Sequence, residues 1–193
     1  DGTVFHTQYE DFLYKYFTGI QCGEEFVDCD VETELDQVLY SQQDATFYGG
    51  EVQAELDVMP VWRGMFGIDG QFDIVKASFA DDTNVPRITP ARIGGGVYYR
   101  DRKLSARVGL LHAFDQDNVG INETSTDGYT LLNAEFNYLA GLGQSPDEQP
   151  WVTFGITGEN LLDDDVRNHA SFKKDDVLLP GRSVKLRAKI RLN

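Results

Sequence analysis

The chain has 193 residues and a formal net charge of −15, with 19 glycines, 9 tyrosines and 12 phenylalanines. This length fits one domain, and the acidic charge argues against a nucleic-acid partner, which requires a basic surface. No run of 18 apolar residues occurs, so no transmembrane helix is expected. Membrane-spanning β-strands stay possible, because such strands are short and alternate apolar with polar residues, so they contain no long apolar run.

Eight segments have the two-residue alternation of apolar and polar side chains that is typical of β-strands. In chain order they cover residues 4–17, 38–58, 66–79, 92–99, 104–114, 129–138, 151–158 and 184–192. The last segment is the clearest, since its apolar and cationic residues alternate without interruption. No helical spacing separates the segments, so the pattern predicts an antiparallel meander.

The connections alternate in length along the chain. Residues 18–37, 80–91, 115–128 and 160–181 form long polar connections, whereas residues 59–65, 100–103 and 139–150 form connections that are shorter on the whole. Outer-membrane barrels have this asymmetry between extracellular loops and periplasmic turns. We therefore predict an all-β fold, an antiparallel up-and-down transmembrane β-barrel with eight strands in this chain.

Aromatic side chains also sort to the two ends of the predicted strands. Those at the short-turn end are Trp62, Phe66, Tyr99, Tyr138 and Trp151, and those at the long-loop end are Tyr16, Phe17, Tyr40, Phe79, Phe114 and Tyr129. Two aromatic bands are typical of two membrane interfaces. The alternative is a soluble lipocalin-like barrel, whose apolar face would surround a small ligand.

Charged residues recur at the polar positions of the predicted strands. In a barrel they would line the lumen and pair across it, and they are Glu51, Glu55, Asp57, Asp69, Asp73, Glu135, Arg107, Lys185, Arg187, Lys189 and Arg191. In a small barrel such pairs would fill the interior. In a larger one they would line its wall.

One predicted extracellular loop combines carboxylates with a histidine. The candidate ligand-binding residues are Asp163, Asp164, Asp165, His169 and Asp175. Such a set could capture a divalent cation, with His169 as the best single metal ligand, although solvated loop tips explain the same composition. No HExxH or GxSxG motif occurs, so neither an enzyme nor a cofactor is expected.

Two cysteines, Cys22 and Cys29, lie in one predicted outside loop. Two thiols without a nearby histidine make a poor metal site. We expect a short disulfide, which requires an oxidising compartment.

Several segments resemble TonB-dependent outer-membrane receptors. They are residues 44–51, 86–92, 122–124, 127–133, 158–163, 167–173 and 179–182, followed by the final alternating strand. The Arg-Asn-His-x-Ser-Phe segment at residues 167–172 is closest to the branch that includes zinc-uptake receptors. The resemblance implies a Gram-negative outer membrane, contact with its lipid, and uptake of a small molecule, a metal ion or a metal chelate.

The family pattern also includes parts that these 193 residues lack. Such receptors have a 22-stranded barrel, a plug domain and a short box that binds TonB, whereas this chain has room for the last eight strands. Residues 1–193 are thus expected to be a single barrel domain or a barrel segment, with the TonB system as a partner only if a plug exists elsewhere. The alternative is a small self-closing barrel with a structural or adhesive role.

Overall fold

The structure is a computed structural model that describes residues 1–23, 35–141 and 151–191, with the backbone alone at residues 151 and 191. It contains eight strands: β1 (Gly2–Cys22), β2 (Leu35–Val61), β3 (Gly64–Phe79), β4 (Arg92–Arg100), β5 (Leu104–Ala113), β6 (Tyr129–Gly141), β7 (Trp151–Glu159) and β8 (Ser183–Arg191). No helix in these ranges is long and apolar enough to cross a membrane.

Each strand pairs with the next one along the chain, and every pairing is antiparallel. The predicted all-β antiparallel meander is therefore confirmed. Among the described residues, β1 and β8 share no contact. The eight strands thus form an open sheet with two free edges.

Strict alternation gives the sheet two chemically different faces. Glu55 stands opposite Asp69 on one face, while the adjacent Leu56 stands opposite Ile68 on the other. We call the first the ionic face; it carries Glu51, Glu55, Asp57, Asp69, Asp73, Arg107, Glu135, Lys185, Arg187 and Lys189. The other is the apolar face, which carries Val52, Leu56, Ile68, Phe72, Ile93, Val97, Val108, Leu110, Phe136, Phe154, Ile156, Leu186 and Ile190.

The first two strands extend beyond the segments that alternation predicts, which end at residues 17 and 58. Register shifts between Phe17 and Gln21 and between Asp57 and Met59 continue the ladders past those ends. Another shift, between Tyr9 and Phe12, lies within the predicted part of β1. At this bulge Asp11 adopts a φ of 53° and its N–H donates to the Asp44 carboxylate at 2.9 Å. The bulge absorbs an irregular stretch without ending the strand.

Three long connections in the described part of the chain lie at one end of the sheet: loop A (80–91), loop B (114–128) and loop C (160–182). Loop A folds back so that Val85 joins a small buried cluster with Ala45, Ala77 and Phe79. Phe79 stands opposite Ala45, and both alternate in phase with Asp73 and Glu51, so Phe79 lies on the ionic face. It therefore does not belong to the predicted aromatic band at the membrane interface. Loop A therefore covers the ionic face at this end.

At the opposite end, the described connections β2–β3 and β4–β5 are short turns, and three of the predicted aromatic residues lie beside them. Phe66 stands opposite Tyr99, and the Trp62 ring centroid lies 6.3 Å from that of Tyr99. Trp62 is 92% exposed. An exposed tryptophan at a strand end is typical of a membrane interface.

Candidate functional site: the ionic face and the loop cluster

Ion pairs on the ionic face join neighbouring and next-but-one strands. Arg92 contacts Asp73, directly opposite on β3, with 3.0 Å between Nε and Oδ2. Arg100 binds Glu55 at 2.5 Å and Asp57 at 2.9 Å, both on β2. These side chains are partly exposed, so each pair alone adds little stability, and the two arginines offset two of the three carboxylate charges.

Glycines let the side chains of Tyr98 and Arg107 reach partners across an intervening strand. Tyr98 donates its hydroxyl to Asp57 at 2.7 Å across β3, where a side chain at Gly67 would overlap the Tyr98 ring. Arg107 likewise reaches Asp69 at 2.5 Å across β4.

A Cβ at Gly96 would lie 2.9 Å from the Arg107 guanidinium, and one at Gly109 would lie 2.7 Å from it. The glycines thus leave the space in which the Arg107 side chain lies flat. They explain part of the Gly94-Gly95-Gly96 run in β4, which has no helix after it that would suit a phosphate site.

The cations of β8 are less completely paired. Lys185 binds Glu159 at 2.6 Å, and Arg187 approaches Asn137 at 3.5 Å. Neither Lys189 nor Glu51 makes an ion pair among the described residues. The side chain of Arg191 lies outside the described part of the chain.

A groove of about 930 Å³ runs over the ionic face. Its lining includes Glu55, Asp69, Arg100, Arg107 and Glu135. The groove is polar and contains both signs of charge, so it suits water or a polar segment rather than an apolar ligand.

Sequence reasoning missed four members of this network: Arg92, Tyr98, Arg100 and Glu159. The two arginines stand at the ends of β4, but they share the alternation of Gly94, Gly96 and Tyr98. That shared parity was the signal that could have placed them on the ionic face.

The predicted ligand carboxylates of loop C contact backbone rather than converging on one point. The Asp163 carboxylate accepts a hydrogen bond from the backbone N–H of Arg182 at 2.8 Å. The Asp164 carboxylate accepts one from the backbone N–H of Thr130 at 2.6 Å. Asp165 is exposed. No cluster of three or more His, Cys, Asp or Glu residues suited to a metal occurs in residues 1–23, 35–141 and 151–191. Metal binding by these residues stays a prediction.

The fourth candidate carboxylate and the histidine lie where loops B and C meet. The Asp175 carboxylate accepts a hydrogen bond from the Thr124 hydroxyl at 2.7 Å. His169 is 2% exposed, and its Nδ1 is hydrogen-bonded to Thr126 Oγ1 at 2.9 Å. Its Nε2 lies 3.4 Å from Glu123 Oε1 and, among the described residues, has no hydrogen-bond partner.

The protonation of this cluster follows from burial and charge. Burial lowers the pKa of His169, and the nearby Lys174 ammonium lowers it further. Burial also lowers the pKa of Lys174, although Glu123 opposes that shift. His169 is therefore neutral at pH 7, and a positive group is already close to it.

The family-like segment at residues 158–163 has a local structural role. Asn160 donates its backbone N–H to Asn133 at 3.0 Å and its side-chain amide to the Asp164 carbonyl at 2.9 Å. Its Oδ1 accepts the Asp164 N–H at 3.0 Å. Asn160 thus anchors the start of loop C to β6.

Cys22 is buried at the end of β1, opposite Leu35. Its predicted partner Cys29 lies outside the described residues. The Cys22–Cys29 disulfide therefore stays a prediction.

One protein-family model matches most of the chain. It describes the TonB-dependent receptor-like β-barrel and matches residues 1–161. Among curated proteins, none matches this chain significantly. The matched range includes β1 to β7 together with loops A and B.

Proposed function

Because this chain belongs to the TonB-dependent receptor-like β-barrel family, we propose that it forms part of the wall of an outer-membrane receptor that admits a ligand from outside the cell. This family consists of outer-membrane receptors and transporters rather than enzymes. The proposal extends that role to these residues, with the apolar face toward lipid and the ionic face toward the lumen.

The observation that carries the proposal is the exposure of the apolar face. Large apolar side chains of β2 to β8 are exposed there, among them Leu56, Val108 and Leu186, the last at 79%. In a lipocalin-like barrel the apolar face would instead be buried around a ligand. An exposed apolar surface of this extent is typical of a membrane or protein contact, and the proposal assigns lipid to it.

The free edges of β1 and β8 bear on how the barrel is completed. In lipid an unpaired edge leaves N–H and C=O groups without hydrogen bonds, so a membrane sheet must close. We propose that further strands close it, which makes residues 1–193 a barrel segment. A plug domain and contact with TonB belong to that same proposal.

The proposed location can be tested on the intact chain. We expect it to float with lipid vesicles in a density gradient, to resist carbonate extraction, and to fold only with detergent or lipid. A monodisperse, β-rich monomer in plain buffer would contradict the proposal and favour a soluble ligand-binding barrel.

For the ligand, we propose a metal chelate rather than a bare metal ion. Support for a metal comes from the resemblance of residues 167–172 to zinc-uptake receptors. Against a bare ion stand the loop C carboxylates, which accept backbone N–H groups, and the Lys174 ammonium, which lies 3.7 Å from Glu123 beside His169. A cation at His169 would be repelled by that ammonium.

Equilibrium dialysis against zinc sulfate tests this point. We expect no stoichiometric binding at micromolar Zn²⁺, and the same result for His169→Gln and for the exposed-carboxylate control Asp165→Asn. Tight binding of one Zn²⁺ that only His169→Gln abolishes would show instead that His169 is a metal ligand.

A further inference from the structure

One buried carboxylate is shared by all three described long loops. The Glu123 side chain, in loop B, is 1% exposed. Its oxygens accept the N–H of Gly120 at 2.8 Å from its own loop and the N–H of Arg87 at 3.0 Å from loop A. Loop C supplies Lys174 Nζ at 3.7 Å and His169 Nε2 at 3.4 Å.

We propose that Glu123 is a latch that makes loops A, B and C open and close as one cap. The cap lies at the long-loop end of the sheet, where loop A already covers the ionic face. The inference rests on the proposed function, because a cap that opens matters for a receptor that admits a ligand from that side.

The charges in the cluster explain why one residue can control three loops. The Lys174 side chain is 3% exposed, and Glu123 is the one carboxylate within ion-pair distance of it among the described residues. Removing the Glu123 charge would leave the buried Lys174 ammonium with only the exposed Asp175 carboxylate, beyond ion-pair distance, as a counter-charge. That loss is far more costly than losing an exposed pair. Loop C would then have to move to hydrate Lys174.

The remaining contacts join the loops only two at a time. Gln116 donates to the Ile88 carbonyl at 2.8 Å between loops A and B, and Thr126 contacts His169 between loops B and C. Arg87 stacks on Phe172 between loops A and C, 3.7 Å from the ring centre. Arg87 also contacts both other loops, but through its backbone N–H to Glu123 and its ring contact with Phe172. Glu123 joins the loops through a buried charge.

Hydrogen–deuterium exchange of the full chain in detergent micelles tests the latch. Glu123→Gln keeps the size of the side chain and removes its charge. We expect exchange in peptides from loops A, B and C to rise together by roughly tenfold or more, while strand peptides stay unchanged. The matched control is Asp127→Asn, an exposed carboxylate in the same loop, which should leave exchange unchanged.

A second pair of variants keeps the test decisive if Glu123→Gln folds poorly. Lys174→Met should loosen the same three loops, because it removes the buried ammonium that lies within ion-pair distance of the buried Glu123 carboxylate. The Glu123→Gln/Lys174→Met double variant contains neither lone charge, so its loops should exchange closer to the wild-type rate than those of either single variant.

Increased exchange confined to loop B, or additive effects in the double variant, would overturn the latch. Flotation of the wild-type chain with lipid reports on the proposed function separately. A chain that fails to float would refute the membrane role and leave the exchange result intact as a test of the latch.

Discussion

Glycine positions on the ionic face determine which charged side chains can meet. Tyr98 reaches Asp57 over Gly67, and Arg107 reaches Asp69 over Gly96. In both cases the glycine belongs to the strand that lies between the two partners. A side chain there would occupy the path of the hydrogen bond.

Replacing Gly67 with alanine should therefore destabilise the fold. The new Cβ would overlap the Tyr98 ring and lie 2.7 Å from the Leu56 carbonyl oxygen. We expect a loss of about 1–3 kcal/mol in the free energy of unfolding, measured by urea titration in lipid vesicles. Gly70→Ala is the matched control because its Cβ would meet only ordinary contact at 3.7 Å. Equal losses for both variants would contradict the account.

The two cysteines give a second test at this scale. If Cys22 and Cys29 form a disulfide, alkylation of the denatured, unreduced protein should add no adduct, and two adducts should appear after reduction. Mass spectrometry distinguishes these outcomes. Two adducts before reduction would show that the pairing prediction is wrong.

The sequence predicts which face of the sheet a side chain lies on better than it predicts which side chain it contacts. Alternation alone places Asp69 and Arg107 on the same face, but their contact depends on the register of β4 between them. The role of Glu123 was not predicted at all. Its partners come from three loops, and loop contacts depend on tertiary packing that no local pattern encodes.

At the scale of elements, β4, β5 and β7 follow their sequences most closely, since each differs from its predicted bounds by one residue at one end, and β8 differs by one residue at either end. The alternation predicts residues 184–192, and the strand covers Ser183–Arg191. β1 and β2 follow theirs less well because register shifts between Phe17 and Gln21 and between Asp57 and Met59 continue the ladders past the alternating sequence. Turn and bulge conformations with positive φ, as at Asp11 and Trp62, are not visible in a period-two pattern.

Substitutions on the two faces of β8 should affect membrane insertion differently. Leu186→Arg places a charge on the apolar face, and a charge in the middle of the bilayer costs ~2–4 kcal/mol. We expect this variant to lose stable insertion in a vesicle-folding assay. Arg187→Lys keeps the charge on the ionic face and should insert like the wild type. Normal insertion of Leu186→Arg would argue that the apolar face does not meet lipid.

For the whole molecule, the fold class was predictable because eight strands repeat one simple pattern. Closure was not predictable, since alternation does not say how many strands a barrel has. The open sheet leaves β1 and β8 as edges among the described residues. The central claim therefore concerns orientation: the apolar face meets lipid and the ionic face meets water.

Collision accessibility of single nitroxide side chains along β6 tests that claim most directly. A genetically encoded nitroxide amino acid would replace Ala134 or Phe136 on the apolar face, or Asn137 on the ionic face, in the chain folded into lipid vesicles. We predict that oxygen, which concentrates in lipid, relaxes the labels at residues 134 and 136 more than a water-soluble nickel chelate does, and that residue 137 shows the reverse order. Greater nickel accessibility at residues 134 and 136 than at 137 would contradict the account.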